Sequence, residues 1–107
     1  MKLLTKEIIN KTAPMLENDG LEPHKVKVTA KFFDPTGSFT WYLTELDKDN
    51  LNDAFGFVTS AFCPEGELGY FSIKELEELE LPFGLGVERD KYFQETNLME
   101  LMMRVGS

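Results

Sequence analysis

Cysteine and histidine are nearly absent from this chain, which has one of each. The single Cys63 excludes an intramolecular disulfide and a multi-cysteine zinc site, and the single His24 excludes a two-histidine metal site. No serine lies in a nucleophile-elbow pattern, and the glycines of "GLG" at residues 84–86 do not belong to a phosphate-binding loop. The sequence therefore predicts no catalytic residue, no metal ligand and no cofactor.

Long apolar runs are missing as well. The N-terminal stretch MKLLTKEIINK contains no apolar run of signal-peptide length, and no other segment approaches the length of a membrane span. We therefore expect a cytoplasmic protein with no membrane association.

Basic residues are scarce after the first third of the chain, and the formal net charge is -8. Residues 1–37 carry six lysines against five acids, whereas residues 38–107 carry five lysines or arginines against fourteen acids. Phosphate backbones repel such a surface, so direct nucleic-acid binding is disfavoured. A basic protein partner fits this charge, including a nucleic-acid-binding protein that an acidic DNA mimic would inhibit.

The chain does have the composition of an ordinary globular protein. Its 107 residues are 42% hydrophobic, 12% aromatic and 28% charged. This size and composition are typical of one folded domain and not of a disordered segment. We predict a single domain over residues 1–107.

Four consecutive segments have the pattern of strands joined by short loops. Residues 25–33, KVKVTAKFF, alternate polar and apolar side chains, and residues 39–46, FTWYLTEL, alternate again after the turn sequence DPTGS. AFGFVTSAF and LGYFS follow, and VERDKYF is a candidate fifth strand at an edge. Loops this short exclude parallel crossovers, so we predict an antiparallel meander of four or five strands.

Helices are predicted at both ends of the chain. Thr5 is a candidate N-cap for an N-terminal helix, which Pro14 should end or kink. Asn97, with Glu100 three residues later, has the spacing of a capping box for a short C-terminal helix.

The most acidic stretch also has the pattern of a helix. Ser72 and Glu75 fit a capping box for a helix near residues 72–80, and glutamates near a helix start complement its dipole. Most of the glutamates here are thereby explained by helix chemistry. Together the helices and the antiparallel sheet predict the α+β fold class.

Paired carboxylates are the one route to an enzyme. Four acids lie at predicted strand ends or in loops, where folding could bring two together as glycosidase or hard-metal chemistry requires. They are Glu45, Glu67, Glu88 and Asp90. Such pairs also arise by chance among nineteen acids. A small carboxylate- or metal-dependent hydrolase is therefore an alternative, and the balance leans against an enzyme.

The aromatic residues favour a binding surface instead. Successive side chains of a strand point to opposite faces, so Trp41 and Tyr42 cannot share one core. With Trp41 in the core, Tyr42 lies on the open face of the sheet, where Tyr70 can join it. An exposed tyrosine flanked by threonines and acids is typical of a protein-binding patch. The alternatives are that a helix covers this face or that Tyr42 stacks beside the lysine stems of the first strand.

Three motifs in order resemble those of a known bacterial family. The first pattern is "TWY-T-E-D", the second "ELGYFS" and the third "GL-ERD-YF", after an N-terminal "LLT". The matching residues are Thr40, Trp41, Tyr42, Thr44, Glu45 and Asp47, then Glu67, Leu68, Gly69, Tyr70, Phe71 and Ser72, then Gly84, Leu85, Glu88, Arg89, Asp90, Tyr92 and Phe93. From Met1 to about Leu98 the chain resembles the family catalogued as domain of unknown function 2958. The glutamate-rich helix after Ser72 departs from the family pattern.

The resemblance implies a small stand-alone protein of plasmids, integrative elements and phages, encoded beside transfer and DNA-processing genes. It implies no established activity. It does imply an accessory role in a mobile genetic element, such as tuning a DNA-processing or host-defence protein.

Several matching positions are polar or charged, although a strand end needs no such side chain to fill a core. We therefore predict a surface that binds a protein partner of unknown identity. Its residues are Tyr42, Glu45, Glu67, Tyr70, Glu88 and Arg89. The alternative is an internal network of salt bridges and turns that locks the sheet edges. The function predicted first is a non-catalytic protein-binding module of a mobile genetic element.

Overall fold

The computed structural model describes residues 2–105. This part of the chain contains eight strands and three α-helices. The strands are β1 (Ala13–Pro14), β2 (Lys27–Val28), β3 (Ala30–Phe33), β4 (Thr40–Leu46), β5 (Asp53–Thr59), β6 (Glu67–Ser72), β7 (Glu88–Arg89) and β8 (Thr96–Asn97). The helices are α1 (Lys6–Lys11), α2 (Ile73–Glu78) and α3 (Leu98–Val105). Met1, Gly106 and Ser107, at the ends of the predicted domain, lie outside the described residues.

The central sheet has the strand order β6-β5-β4-β3-β7. Strands β3 to β6 form the antiparallel meander that the sequence predicts, and β7 adds the edge strand by pairing antiparallel with β3. The predicted α+β fold class is therefore confirmed.

Two details of strand pairing differ from the prediction. The predicted strand over residues 25–33 is interrupted at Thr29: β2 pairs with β8, and only β3 joins β4. Thr29 is buried at this break, and its hydroxyl lies 2.7 Å from the hydroxyl of Thr12. In addition, β1 runs parallel to β4, with Ala13 opposite Glu45. Partners so distant in sequence leave no local signal.

Each helix begins at the N-cap that the sequence predicts. The cap side chains accept backbone N–H groups as follows: Thr5 from Ile8 at 3.1 Å, Ser72 from Glu75 at 3.1 Å, and Asn97 from Glu100 at 2.8 Å. These bonds satisfy N–H groups that have no acceptor within the helix.

Helices cover both faces of the sheet, which separates two hydrophobic clusters. The first cluster includes Leu3, Ile8, Ala30, Phe32, Leu43, Leu46, Ala54, Ile73, Leu76 and Val87. The second consists of Val26, Val28, Tyr42, Phe57, Leu98 and Leu101. Because α1 and α2 contribute to the first cluster and α3 to the second, neither face of the central strands is left open.

The glutamates of α2 are partly built into the fold. Ile73 and Leu76 are buried against the sheet. The Glu77 carboxylate oxygen Oε2 accepts the backbone N–H of Leu3 at 2.8 Å and so ties the N-terminal segment to this helix. The acidic stretch is therefore a capped amphipathic helix with one structural carboxylate.

Candidate functional site

The six residues of the predicted binding surface do not form one surface. They divide among three strands: Tyr42 and Glu45 on β4, Glu67 and Tyr70 on β6, and Glu88 and Arg89 on β7. Since β6 and β7 are opposite edges of the sheet, three strands separate the two edge pairs. Of the six, Glu45 and Tyr70 are brought together, because both are cross-strand neighbours of Phe55.

Arg89 has a structural contact that agrees with the alternative of an internal network. Its Nη1 donates to the carbonyl oxygens of Lys2 at 2.9 Å and Leu3 at 3.0 Å. These bonds hold the N-terminal segment against the β7 edge, where Leu3 is fully buried. Glu88 lies half-buried beside Arg89, opposite Phe33 of β3.

Tyr42 is buried, so the expectation that it lies on an open face is wrong. Only 9% of the residue is exposed, because α3 packs over this face of the sheet. Its ring lies 6.3 Å from the ring of Phe57 and 6.1 Å from that of Phe93, centroid to centroid. Burial raises the pKa of the Tyr42 phenol. The covering helix is one of the two alternatives that the sequence left open.

A β-bulge decides which way Glu45 points. On β4, Leu43 is opposite Gly56 while Glu45 is opposite Phe55, so Thr44 is an extra residue in the ladder. Strict alternation would put Glu45 on the same face as Leu43. The bulge shifts the alternation by one residue and turns the Glu45 carboxylate to the opposite face.

Glu45, Phe55 and Tyr70 form a row across three neighbouring strands. Glu45 is the cross-strand partner of Phe55, and Phe55 is the cross-strand partner of Tyr70. The two rings meet edge to face with centroids 4.8 Å apart, a favourable geometry for an aromatic pair. Exposure rises along the row from 5% at Glu45 to 71% at Tyr70.

Glu45 also fixes the loop that follows β1. Its Oε1 accepts the backbone N–H of Leu16 at 2.7 Å, and the side-chain amide of Asn18 donates to the carbonyl oxygen of Thr44 at 3.3 Å. Leu16 has a φ of 72°, in the left-handed region that L-residues rarely adopt. The Glu45 carboxylate holds this strained residue in place. Leu16 is 66% exposed.

The loop, the row and α3 enclose a groove of about 270 Å³. We call it the Glu45 groove; its main lining residues are Leu16, Asp19 and Leu21 of the loop, Glu45, Phe55, Leu68 and Tyr70 of the sheet, and Met102 of α3. Most of these side chains are apolar, and the two charged lining residues are Asp19 and the buried Glu45. An apolar concave surface with few polar groups is typical of a binding site.

The four carboxylates of the enzyme alternative are spread over the molecule. They lie as follows: Glu45 in the groove, Glu67 on β6, and Glu88 and Asp90 at the β7 edge. Asp90 forms an ion pair with Lys31, whose Nζ lies 3.8 Å from Oδ2. Within residues 2–105, no three histidine, cysteine or acidic side chains come together as a metal site would require.

Cys63 lies in the turn between β5 and β6, where it is half-buried. Its thiol is 3.7 Å from Oε1 of Glu65. Desolvation and then the negative charge of Glu65 raise the pKa of the Cys63 thiol. The neutral thiol is therefore favoured, whereas a nucleophile requires the thiolate.

Of the main lining residues of the groove, the predicted site includes only Glu45 and Tyr70. Phe55 lies in the predicted strand AFGFVTSAF, but its contact with Tyr70 depends on the pairing register of two strands. Leu21 is a lone apolar residue within the polar stretch ENDGLEPH, and this was the available signal for an exposed apolar contact.

Together the fold and the groove define a small α+β protein with a mostly antiparallel sheet, covered on both faces, and an apolar groove beside one edge. Residues 3–106 match the model of the family described as "Protein of unknown function (DUF2958)". Because the match covers almost the whole chain, this protein belongs to that family. No curated protein and no solved structure matches the chain. Among residues 2–105, no helix has both the length and the apolar character that crossing a membrane demands.

Proposed function

We propose that this chain is a non-catalytic protein-binding module whose partner docks in the Glu45 groove. The observation that carries the proposal is the convergence of exposed apolar side chains on one concave surface. Leu16, Leu21, Leu68 and Tyr70 all line the groove, and each is more than 40% exposed. Exposed apolar patches with a tyrosine at the rim are common features of protein interaction sites.

The construction of the groove also supports a functional role for this surface. The bulge at Thr44 and the Glu45 hydrogen bond to Leu16 hold the loop in a strained conformation that presents apolar side chains to solvent. Such strain is retained at sites where function requires the conformation. The partner that we propose is a protein of the mobile element or its host, in keeping with the accessory role that the family resemblance implies.

Site-specific photo-crosslinking tests this proposal with a matched pair of positions. Tyr70 lies in the groove and is 71% exposed, whereas Tyr92 lies outside it and is 92% exposed. A photoreactive phenylalanine analogue placed at each position in turn, in cells of the source organism, should cross-link a defined protein from position 70 only. Tyr70→Ala should abolish capture of that protein, and Tyr92→Ala should preserve it.

Other outcomes would reject the groove as the binding site. Cross-links from position 92 alone, or equal capture by both alanine variants, would place the partner elsewhere. The DNA-mimic alternative predicts instead that Glu78→Lys on the exposed side of α2 abolishes capture while Tyr70→Ala does not. The hydrolase alternative predicts turnover of a substrate that is lost on Glu45→Gln without any stable partner.

A further inference from the structure

One oxygen of the Glu45 carboxylate remains available to a ligand. Oε1 accepts the Leu16 N–H, and no hydrogen bond from a described residue reaches Oε2. Every fully buried side-chain oxygen or nitrogen of residues 2–105 has a hydrogen-bond partner, so Oε2 is not sealed from solvent. Because Glu45 lines the groove, a ligand in the groove can reach this carboxylate. A carboxylate so deeply buried gains from a cation that approaches along that path.

The charges around the groove also favour a cation. Of the described residues that line it, Asp19 and Glu45 are acidic and none is lysine, arginine or histidine. The whole chain carries a net charge of -8, so the long-range field attracts positive ligands and repels acidic ones. Charge complementarity therefore selects a basic occupant.

The aromatic pair beside Glu45 suits the same occupant. Tyr70 exposes most of its surface at the rim, and its ring meets Phe55, the cross-strand neighbour of Glu45. Arginine and lysine side chains combine an apolar stem with a charged head and bind to aromatic faces. A basic side chain that passes Tyr70 and Phe55 on its way to Glu45 satisfies both parts of the site.

We propose that the Glu45 groove recognises a basic segment of its protein partner, with one arginine or lysine side chain paired to Oε2 of Glu45 and its stem against Tyr70 and Phe55. Neighbouring apolar residues of the segment occupy the surface made by Leu16, Leu21 and Leu68. This inference rests on the proposed protein-binding function and assigns the chemistry of the partner.

A displayed library of random linear peptides, selected on the immobilised full-length chain, tests the inference. The selected peptides should carry an arginine or lysine among apolar residues. Replacing that arginine by citrulline, which is nearly the same size, or acetylating the lysine removes the positive charge. This replacement should weaken binding by about tenfold or more, since a hydrogen bond to a charged group is lost.

Two variants of the chain complete a double-mutant cycle. Glu45→Gln keeps an acceptor for the Leu16 N–H but removes the charge, and it should abolish the difference between the charged and the neutral peptide. Glu78→Gln, which removes a charge on the exposed side of α2, should leave that difference intact. An unchanged unfolding midpoint of Glu45→Gln shows that the fold is intact.

The outcomes separate this inference from the proposed function. Peptides without a basic residue that bind in a Tyr70-dependent manner would overturn the basic-segment inference and leave protein binding in the groove intact. Basic peptides that bind Glu45→Gln as tightly as the wild type would also overturn it. Failure to select any peptide whose binding depends on Tyr70 or Glu45 would count against both.

Discussion

Replacing Gly56 by alanine tests the packing that sets the register of β4 against β5. Gly56 is opposite Leu43, immediately before the bulge at Thr44. A Cβ atom at position 56 would lie 1.8 Å from the backbone oxygen of Tyr42 and 3.3 Å from the Leu43 Cα, whereas ordinary contacts begin near 3.4 Å. Because both neighbours are backbone atoms, no side-chain rotation relieves the clash. The two strands must separate or the register must change.

The cost of this substitution follows from two terms. Overpacking a tight interior site costs about 1–3 kcal/mol. Loss of a pair of ladder hydrogen bonds between β4 and β5 adds about 0.5–1.5 kcal/mol for each bond. We therefore expect Gly56→Ala to lower the free energy of unfolding by about 3 kcal/mol or more, and the melting temperature by roughly 12 °C or more for a domain of this size.

Gly69 provides the matched control, because it is the cross-strand partner of Gly56 on β6. A Cβ atom at Gly69 meets nothing within 4 Å, so Gly69→Ala should leave stability unchanged or raise it by about 0.5 kcal/mol. Urea unfolding followed by the fluorescence of the single tryptophan, Trp41, measures both variants. Equal unfolding midpoints for the two would refute the argument that backbone contact requires glycine at position 56.

Tyr42 and Glu77 lead to two further predictions. Burial raises the pKa of Tyr42, so the folded chain favours the neutral phenol. The contribution of the buried neutral phenol to the free energy of unfolding is complete below about pH 10. It is lost as the pH rises through the raised pKa. Urea unfolding above about pH 10 should therefore show a steeper loss of stability in the wild type than in Tyr42→Phe; parallel curves would contradict the burial. Glu77→Ala removes the acceptor of the Leu3 N–H and should cost about 1 kcal/mol, whereas Glu78→Ala on the same helix should cost nothing. A Glu77→Ala midpoint equal to that of Glu78→Ala would show that the Leu3 bond is not stabilising.

The carboxylate that lines the groove does not belong to the most acidic part of the sequence. The sequence concentrates negative charge near α2, but Glu77 there is already bonded within the fold. The carboxylate with the most specific surroundings is Glu45, which lies among apolar side chains on the other face of the sheet. A search for function by charge density alone therefore leads to α2, whereas burial and hydrogen bonding lead to Glu45.

Local sequence patterns were sufficient for most of the secondary structure. The caps at Thr5, Ser72 and Asn97 act on N–H groups only three residues away, so composition within a short window predicts where each helix begins. The short loops between the strands leave the antiparallel meander as the economical topology. The break at Thr29 was not predictable, because it depends on the distant partners Thr12 and Leu43.

The candidate site was predicted only in part, for a related reason. Alternation showed that Trp41 and Tyr42 point to opposite faces, but it carried no information on which face α3 would cover. Glu45 and Tyr70 were both identified as candidates from their chemistry and the family motifs. Their connection through Phe55 required the pairing register of three strands.

The sequence by itself determined the helices and their caps, the strands of the meander, the polar–apolar alternation and the family, because these signals depend on neighbours a few residues apart. Only the tertiary structure decided that Tyr42 is buried, that the bulge turns Glu45 away from the face of Leu43, and that a loop near Leu16 closes over it. The physical reason is that a bulge and a groove are set by the packing of segments distant in sequence. Their free energy depends on contacts that no local pattern records.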